Sequence, residues 1–363
     1  MTDLTRELSG KRIVICAGAG GVGKTTVSAV VALGLAARGR RVAVVTIDPA
    51  RRLSEVLGLE ALGNEPQPVA SERFRVAGLE VHGELLAMML DVKRTFDELI
   101  VRLAPDEQTA QSILRNPVYR HLSTAVAGSQ EYTAVAKLAE LATRRDIDVI
   151  VLDTPPSSSA IEFLRAPERL VGFVDTGAAT AFVHPAGAAI RAAGLVLAAL
   201  GRITGTGLLG DLRTFFALMS QLLEGFRVRA ATVQSLLRDP ATGFLVVSSP
   251  ERAAVDEAIE FAQELERSGM HRSAVIVNRV QPLDQDNQGA SVTAATLEPS
   301  LGRALAHTVA ITHDQVQAIA RRDSRQIQRL SAQLHTEPLC LADREADVHA
   351  AGRLVDLHDE LFR

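Results

Sequence analysis

"VICAGAGGVGKTTVSAV", Val14–Val30, holds the pattern Gly18-x-x-x-x-Gly23-Lys24-Thr25 between an apolar β-branched run and a segment of helical spacing that closes at Gly39. The glycines let successive backbone N–H groups converge on a phosphate without Cβ obstruction, and the helix N-terminus adds its positive dipole. Gly20, Gly21, Val22, Gly23, Lys24, Thr25 and Thr26 are therefore the expected phosphate-loop residues. Lys24 would contact β- and γ-phosphate oxygens, and the Thr25 hydroxyl would ligate Mg²⁺. A bare glycine-rich match is equally a tight turn. Here the strand, the helix, the lysine and the threonine are all in register, which favours nucleotide.

Working outward from the loop, short apolar runs recur: "RIVIC" (12–16), "RVAVVTI" (41–47), "LLAMML" (85–90), "DVIVLD" (148–153), "FLVVSS" (244–249), "AVIVN" (274–278) and "EPLCLA" (337–342). Runs apolar on both faces read as strands of a parallel sheet covered by helices. The predicted fold is a doubly wound α/β domain over 1–363, of the P-loop NTPase type. After "SSPER", the stripe Val255, Ala258, Ile259, Ala262 and Leu265 reads as an ordinary core-facing helix. Residues 93–145 and 165–238 interrupt the alternation and read as one inserted helical subdomain. The polar stretch 281–300 reads as a mobile loop.

The 363 residues are 47% hydrophobic and 23% charged with net charge −4, so a full core is affordable and no global basic field attracts nucleic acid or anionic lipid. The N-terminus lacks the pattern of a secretory signal, and Cys16 and Cys340 form no CxxC pair, which fits a reduced, cytoplasmic chain. The nine histidines show no close metal-ligand spacing. Arg191 and Arg202 interrupt the Ala/Leu/Gly-rich region 186–210, so peripheral membrane association is the most it suggests; client groove and buried core stay open. "ARRDSRQIQRL" (320–330) reads as a solvated helix face, and the terminal segment as a docked helix with Val348, Leu354, Val355 and Leu361 inward.

Two acids close strands beside the loop. Asp153 ends "DVIVLD", where P-loop enzymes place a carboxylate that reaches the metal shell, directly or through water. Asp48 follows "RVAVVTI"; with Pro49 behind it, a helix cap is as good a reading taken alone. Both lie on the carboxyl edge, where doubly wound sheets bind ligands, which favours catalysis.

Together "GAGGVGKTT", "TIDPARRLSEVLG", "LDTPPSSSAIEFL", "VIVNR" and "EPLC" resemble the ArsA/Get3 family of ATPases, in particular its actinobacterial branch. The resemblance implies an ATP- and Mg²⁺-dependent hydrolase. Asp48 would position the attacking water, Asp153 would act on Mg²⁺ through water, Asn278 would read adenine and Pro338 would line its pocket. It also implies a dimer closed by ATP, whose helical subdomains hold an apolar polypeptide or another ligand. Three departures stand out. The zinc CxxC is missing, so no zinc is expected; the clustered arsenite-binding cysteines are missing, which disfavours an arsenite pump. Ala19 replaces the signature lysine that reaches the partner's nucleotide. Ala19 thus favours a heterodimer with a lysine-bearing paralogue over a homodimer. It also leaves room for a nucleotide-binding regulatory subunit with little hydrolysis of its own; a membrane- or nucleoid-cycling partition ATPase ranks below both.

Overall fold

The computed structural model describes residues 4–48, 50–120, 129–154, 207–283, 293–343 and 351–362. Eight strands form one sheet in the order β3-β4-β2-β5-β1-β6-β7-β8. They are β1 (Ile13–Ala17), β2 (Arg41–Thr46), β3 (Gln67–Pro68), β4 (Glu84–Met89), β5 (Val149–Asp153), β6 (Thr242–Ser248), β7 (Arg272–Val280) and β8 (Leu339–Ala342). Every pairing is parallel except β3 with β4. The seven runs read from sequence are the seven parallel strands. The edge strand β3 gave no signal, because two residues ending in Pro68 carry neither alternation nor a full set of ladder donors.

Side-chain alternation sorts each strand into two cores. Val14 and Cys16 of β1 face a cluster with the Lys24–Ala37 helix and the terminal Ala351–Phe362 helix. Ile13, Ile15 and Ala17 face the opposite cluster, with Val255, Ala258 and Leu265 of the Arg252–Arg267 helix. Burial on both faces is why these strands read as continuous apolar runs rather than alternating ones. Leu354, Val355 and Leu361 are buried as expected, while Val348 lies outside the described residues.

The Val92–Leu103, Glu107–Arg115, Ser129–Ala142 and Gly207–Arg238 helices share a third apolar cluster that includes Phe96, Ile100, Tyr119, Leu222 and Phe226. Asp91 and Asp106 cap the first two, accepting from Arg94 N at 2.9 Å and Thr109 N at 2.7 Å. Residues 165–206, and with them most of 186–210, lie outside the described residues. No described helix is long and apolar enough to cross a membrane.

The loop expected over 281–300 is helical at its end, Ala294–Leu301. Thr293 and Thr296 make the difference: each hydroxyl accepts from the other's backbone N–H, a reciprocal cap that starts the helix. Gly302, at φ 71°, then turns the chain into the 32-residue Arg303–Leu334 helix. The solvated face expected over 320–330 belongs to that helix, with Arg321, Arg322 and Arg325 exposed. Asp323 departs from it: it is buried and accepts from Gln281 N at 3.1 Å, while Arg322 pairs with its other oxygen at 2.9 Å.

Candidate functional site

β1 lies between β5 and β6, and the chain leaves it for β2 on one side before later filling β6 on the other. Such a switch in strand order opens a crevice at the carboxyl edge. The Gly18–Gly23 loop sits at that edge. An ideal Cβ on Gly18 would lie 1.9 Å from the Val247 carbonyl oxygen, so only glycine lets the loop pass β6 this closely. Gly23 adopts φ 90° and precedes the first residue of the Lys24–Ala37 helix, whose leading N–H groups have no partner inside the helix. Gly20 and Gly21 are exposed, Val22 is buried, and Thr25 and Thr26 are half-buried.

Lys24 folds back over the loop and donates to the carbonyls of Gly18 at 2.9 Å and Ala19 at 2.8 Å. Burial pushes its pKa down, opposed chiefly by the charge of Asp153. Ala19 is itself 8% exposed and packs into the core cluster around the Lys24–Ala37 helix.

Asp153 ends β5, paired laterally with Cys16 on β1 and Thr46 on β2. Its Oδ2 accepts from the Thr25 hydroxyl at 2.8 Å and the Thr46 hydroxyl at 2.9 Å. Its Oδ1 is buried and has no hydrogen-bond partner among the described residues. Burial pushes this carboxyl up to about 6, against the lowering effect of the two hydroxyls and Lys24. A buried carboxylate oxygen without a partner costs free energy unless something else engages it, and a metal-bound water beside Thr25 would do so.

Strand β7 has a register shift between Val277 and Val280, and Arg279 there takes φ 60°. The irregularity turns Asn278 toward the loop, where its Nδ2 donates to the Val22 carbonyl at 2.9 Å.

A family profile described as "Anion-transporting ATPase" matches residues 11–298, which span this loop, both acids and Asn278. The chain belongs to the anion-transporting ATPase family. It is 27% identical over 282 residues to the arsenical pump-driving ATPase of Escherichia coli, an alignment covering 76% of this chain and 41% of that protein. The same identity over 271 residues relates it to the arsenical pump-driving ATPase of Acidiphilium multivorum, covering 73% and 39%. The ATPase GET3 of Malassezia globosa is also 27% identical, over 272 residues covering 74% of this chain and 72% of that protein. The chain thus spans about two-fifths of the length of the two bacterial relatives.

Membership of the anion-transporting ATPase family makes ATP the implied nucleotide. Among the described residues no three His, Cys, Asp or Glu side chains gather as a metal cage. A Mg²⁺ in this family member would therefore draw on the Thr25 hydroxyl, on Asp153 through water and on phosphate oxygens, a donor set that suits an ion which keeps its waters.

The remaining sequence-predicted residues divide. Asp48 lies at the same edge; its Oδ1 accepts from Ala50 N at 2.9 Å and its Oδ2 faces Arg52 at 3.4 Å. It is not a helix cap, because the next helix, Arg52–Leu57, starts after Arg51. Of "TPPSSS", Thr154 is described and donates its hydroxyl to the Cys16 carbonyl at 2.8 Å. Pro338 is not brought to the loop. Leu339 pairs with Ile276, so Pro338 stands level with Val275, roughly 10 Å back from Asn278 at the usual rise of a strand.

Two residues escaped the sequence reading. Thr46 was legible as the lone hydroxyl in an apolar run, although nothing local said which carboxylate it meets. Glu257, on the Arg252–Arg267 helix, has a buried Oε1 without a partner among the described residues, and its charge acts on Lys24. Burial raises its pKa, with Lys24 opposing. An acid next to a core stripe gives no such signal in sequence.

Proposed function

We propose that this chain is a Mg²⁺-dependent ATPase of the ArsA/Get3 type, in which hydrolysis opens and closes a cytoplasmic dimer and so reshapes a helical surface that holds an apolar client. The observation that carries this reading is the pairing of Thr25 with Asp153 at 2.8 Å beside the Lys24-closed loop, with Asp153 Oδ1 unpartnered among the described residues. In it, Lys24 exchanges the Gly18 and Ala19 carbonyls for phosphate oxygens, and the loop amides hold the rest of the phosphate chain. Thr25 and Asp153 hold the metal's ligand shell, and Asp48 orients the attacking water. Asn278 faces the base. Bound Mg²⁺ supplies positive charge against the negative charge that develops on the transferred phosphoryl oxygens. The apolar client is proposed from the ArsA/Get3 resemblance; the cluster around Phe96, Tyr119 and Phe226 is buried core that would scaffold such a surface. Capture of As(III) by thiolates is not part of the proposal, since Cys16 is buried and Cys340 is exposed on β8.

Ala19 favours a second reading in which the working unit is a heterodimer and a lysine-bearing paralogue completes the site, this chain hydrolysing little alone. One assay series separates the two. Phosphate release is measured for the chain alone, for Ala19→Lys and for the chain with a lysine-bearing paralogue. Full activity of the isolated chain, unchanged by the paralogue, removes the heterodimer; activity that appears with the paralogue or with Ala19→Lys supports it. No phosphate release in any arm rejects both.

A further inference from the structure

We propose that Thr46 is a positioning residue that joins the carboxylate of Asp153 to the backbone of Asp48, so that the metal-side acid and the water-side acid move as one unit. The inference rests on the nucleotide-hydrolysing reading above. Thr46 is the last residue of β2, 2% exposed and in register with Asp153 on β5. Its hydroxyl donates to Asp153 Oδ2 at 2.9 Å and accepts from the Asp48 N–H at 3.2 Å. Both directions follow from the partners: the Asp48 amide N–H can only donate, and the ionised Asp153 carboxylate can only accept.

Thr25 donates to the same Oδ2 at 2.8 Å. Two donors on one oxygen, from β2 on one side and the phosphate-loop helix on the other, fix the carboxylate about its last torsion and leave the buried Oδ1 as the oxygen without a partner among the described residues. The two hydroxyls are not equivalent. Thr25 has a second task at the metal, whereas Thr46 spends its acceptor side on Asp48. Thr46 is thus a support for Asp153 that is at the same time tied to the segment bearing Asp48, and a shift of that segment on nucleotide binding is felt at the metal-side acid. Outer partners of this kind orient the groups that hold a metal, and their loss costs about 10- to 100-fold in metal affinity.

The test compares Thr46→Val, which keeps the shape and removes both bonds, with Thr46→Ser, which keeps both. Binding of a fluorescent ADP analogue to the whole chain is titrated in EDTA and then against Mg²⁺. The Val variant should bind as wild type does in EDTA and need about tenfold more Mg²⁺ or more to reach its Mg²⁺-dependent signal; the Ser variant should match wild type. If the Val variant fails to fold, Thr46→Ala, which adds no bulk, takes its place in the same titration. A wild-type Mg²⁺ requirement in the Val or Ala variant, or a Ser variant as impaired as Val, overturns the inference and leaves the ATPase reading standing. A wild-type chain that binds no nucleotide at any Mg²⁺ concentration overturns both.

Discussion

Asn278 Nδ2 donates to the Val22 carbonyl at 2.9 Å, tying the irregular end of β7 to the Gly18–Gly23 loop across 256 residues of sequence. The contact is close enough that an ideal Cβ on Gly23 would lie 2.2 Å from that same Nδ2. Gly23 also holds φ 90°, a conformation that strains any residue with a Cβ. Gly23→Ala should therefore abolish nucleotide binding, while Asn278→Ala, which removes one buried donor, should weaken it by about tenfold. Calorimetric titration with ADP checks both. Binding by Gly23→Ala at wild-type affinity would show that the loop can give way, against the geometry.

Asp48→Asn is expected to bind ATP and hydrolyse it about 100-fold more slowly or worse, the usual cost of losing a positioned base. The fold should survive. The amide oxygen of Asn can still accept from Ala50 N, and the lost pair with Arg52, whose side chain is 58% exposed, is worth roughly 0–1 kcal/mol. Single-turnover phosphate release checks the rate, and wild-type turnover rejects the role given to Asp48.

Asp153 gives a pH signature in the chain free of nucleotide and divalent ions. Its carboxyl titrates at about 6 in the fold, raised chiefly by burial, against an ordinary 3.8. The native state therefore holds its proton more tightly than the unfolded chain. The stability this contributes is full below pH of about 4 and is lost as pH rises through 6, on the order of 3 kcal/mol for a shift of this size. Asp153→Asn has no such proton to lose. Its stability relative to wild type should rise between pH 4 and 7 in denaturant melts, and a constant difference across that range would contradict the burial of the acid.

Asp323→Ala should destabilise the chain by about 1–3 kcal/mol, because it leaves the Gln281 N–H at the end of β7 without its acceptor. Arg325→Ala, from the exposed face of the same helix, should fall within about 0.5 kcal/mol of wild type. Urea melts compare them. Equal effects would mean that the buried carboxylate has no structural task.

Much of the architecture was legible because the chemistry is local. "AGAGGVGKTT" states its own backbone needs through its glycines, and a strand buried on both faces has to be a continuous apolar run, as "DVIVLD" and "FLVVSS" are. The helix at Ala294–Leu301 was missed because its start depends on two threonine hydroxyls folding back on each other's amides, and such residues read equally well as loop. The level of Pro338 along the sheet was not legible for a different reason. A motif gives the residue but not the register of β8 against β7, and register decides which residues reach the edge.

The sequence by itself determined a glycine-rich loop between a strand and a helix of a parallel sheet, with acids at or just after two strand ends, since each is fixed by neighbours within a few residues. Tertiary structure alone decided that Thr25 and Thr46 meet on one oxygen of Asp153, from 128 and 107 residues away, and that its other oxygen has no partner among the described residues. The physical reason is that hydrogen bonds between strand ends depend on strand order and register, and those are set by how whole faces pack, not by any short stretch of chain.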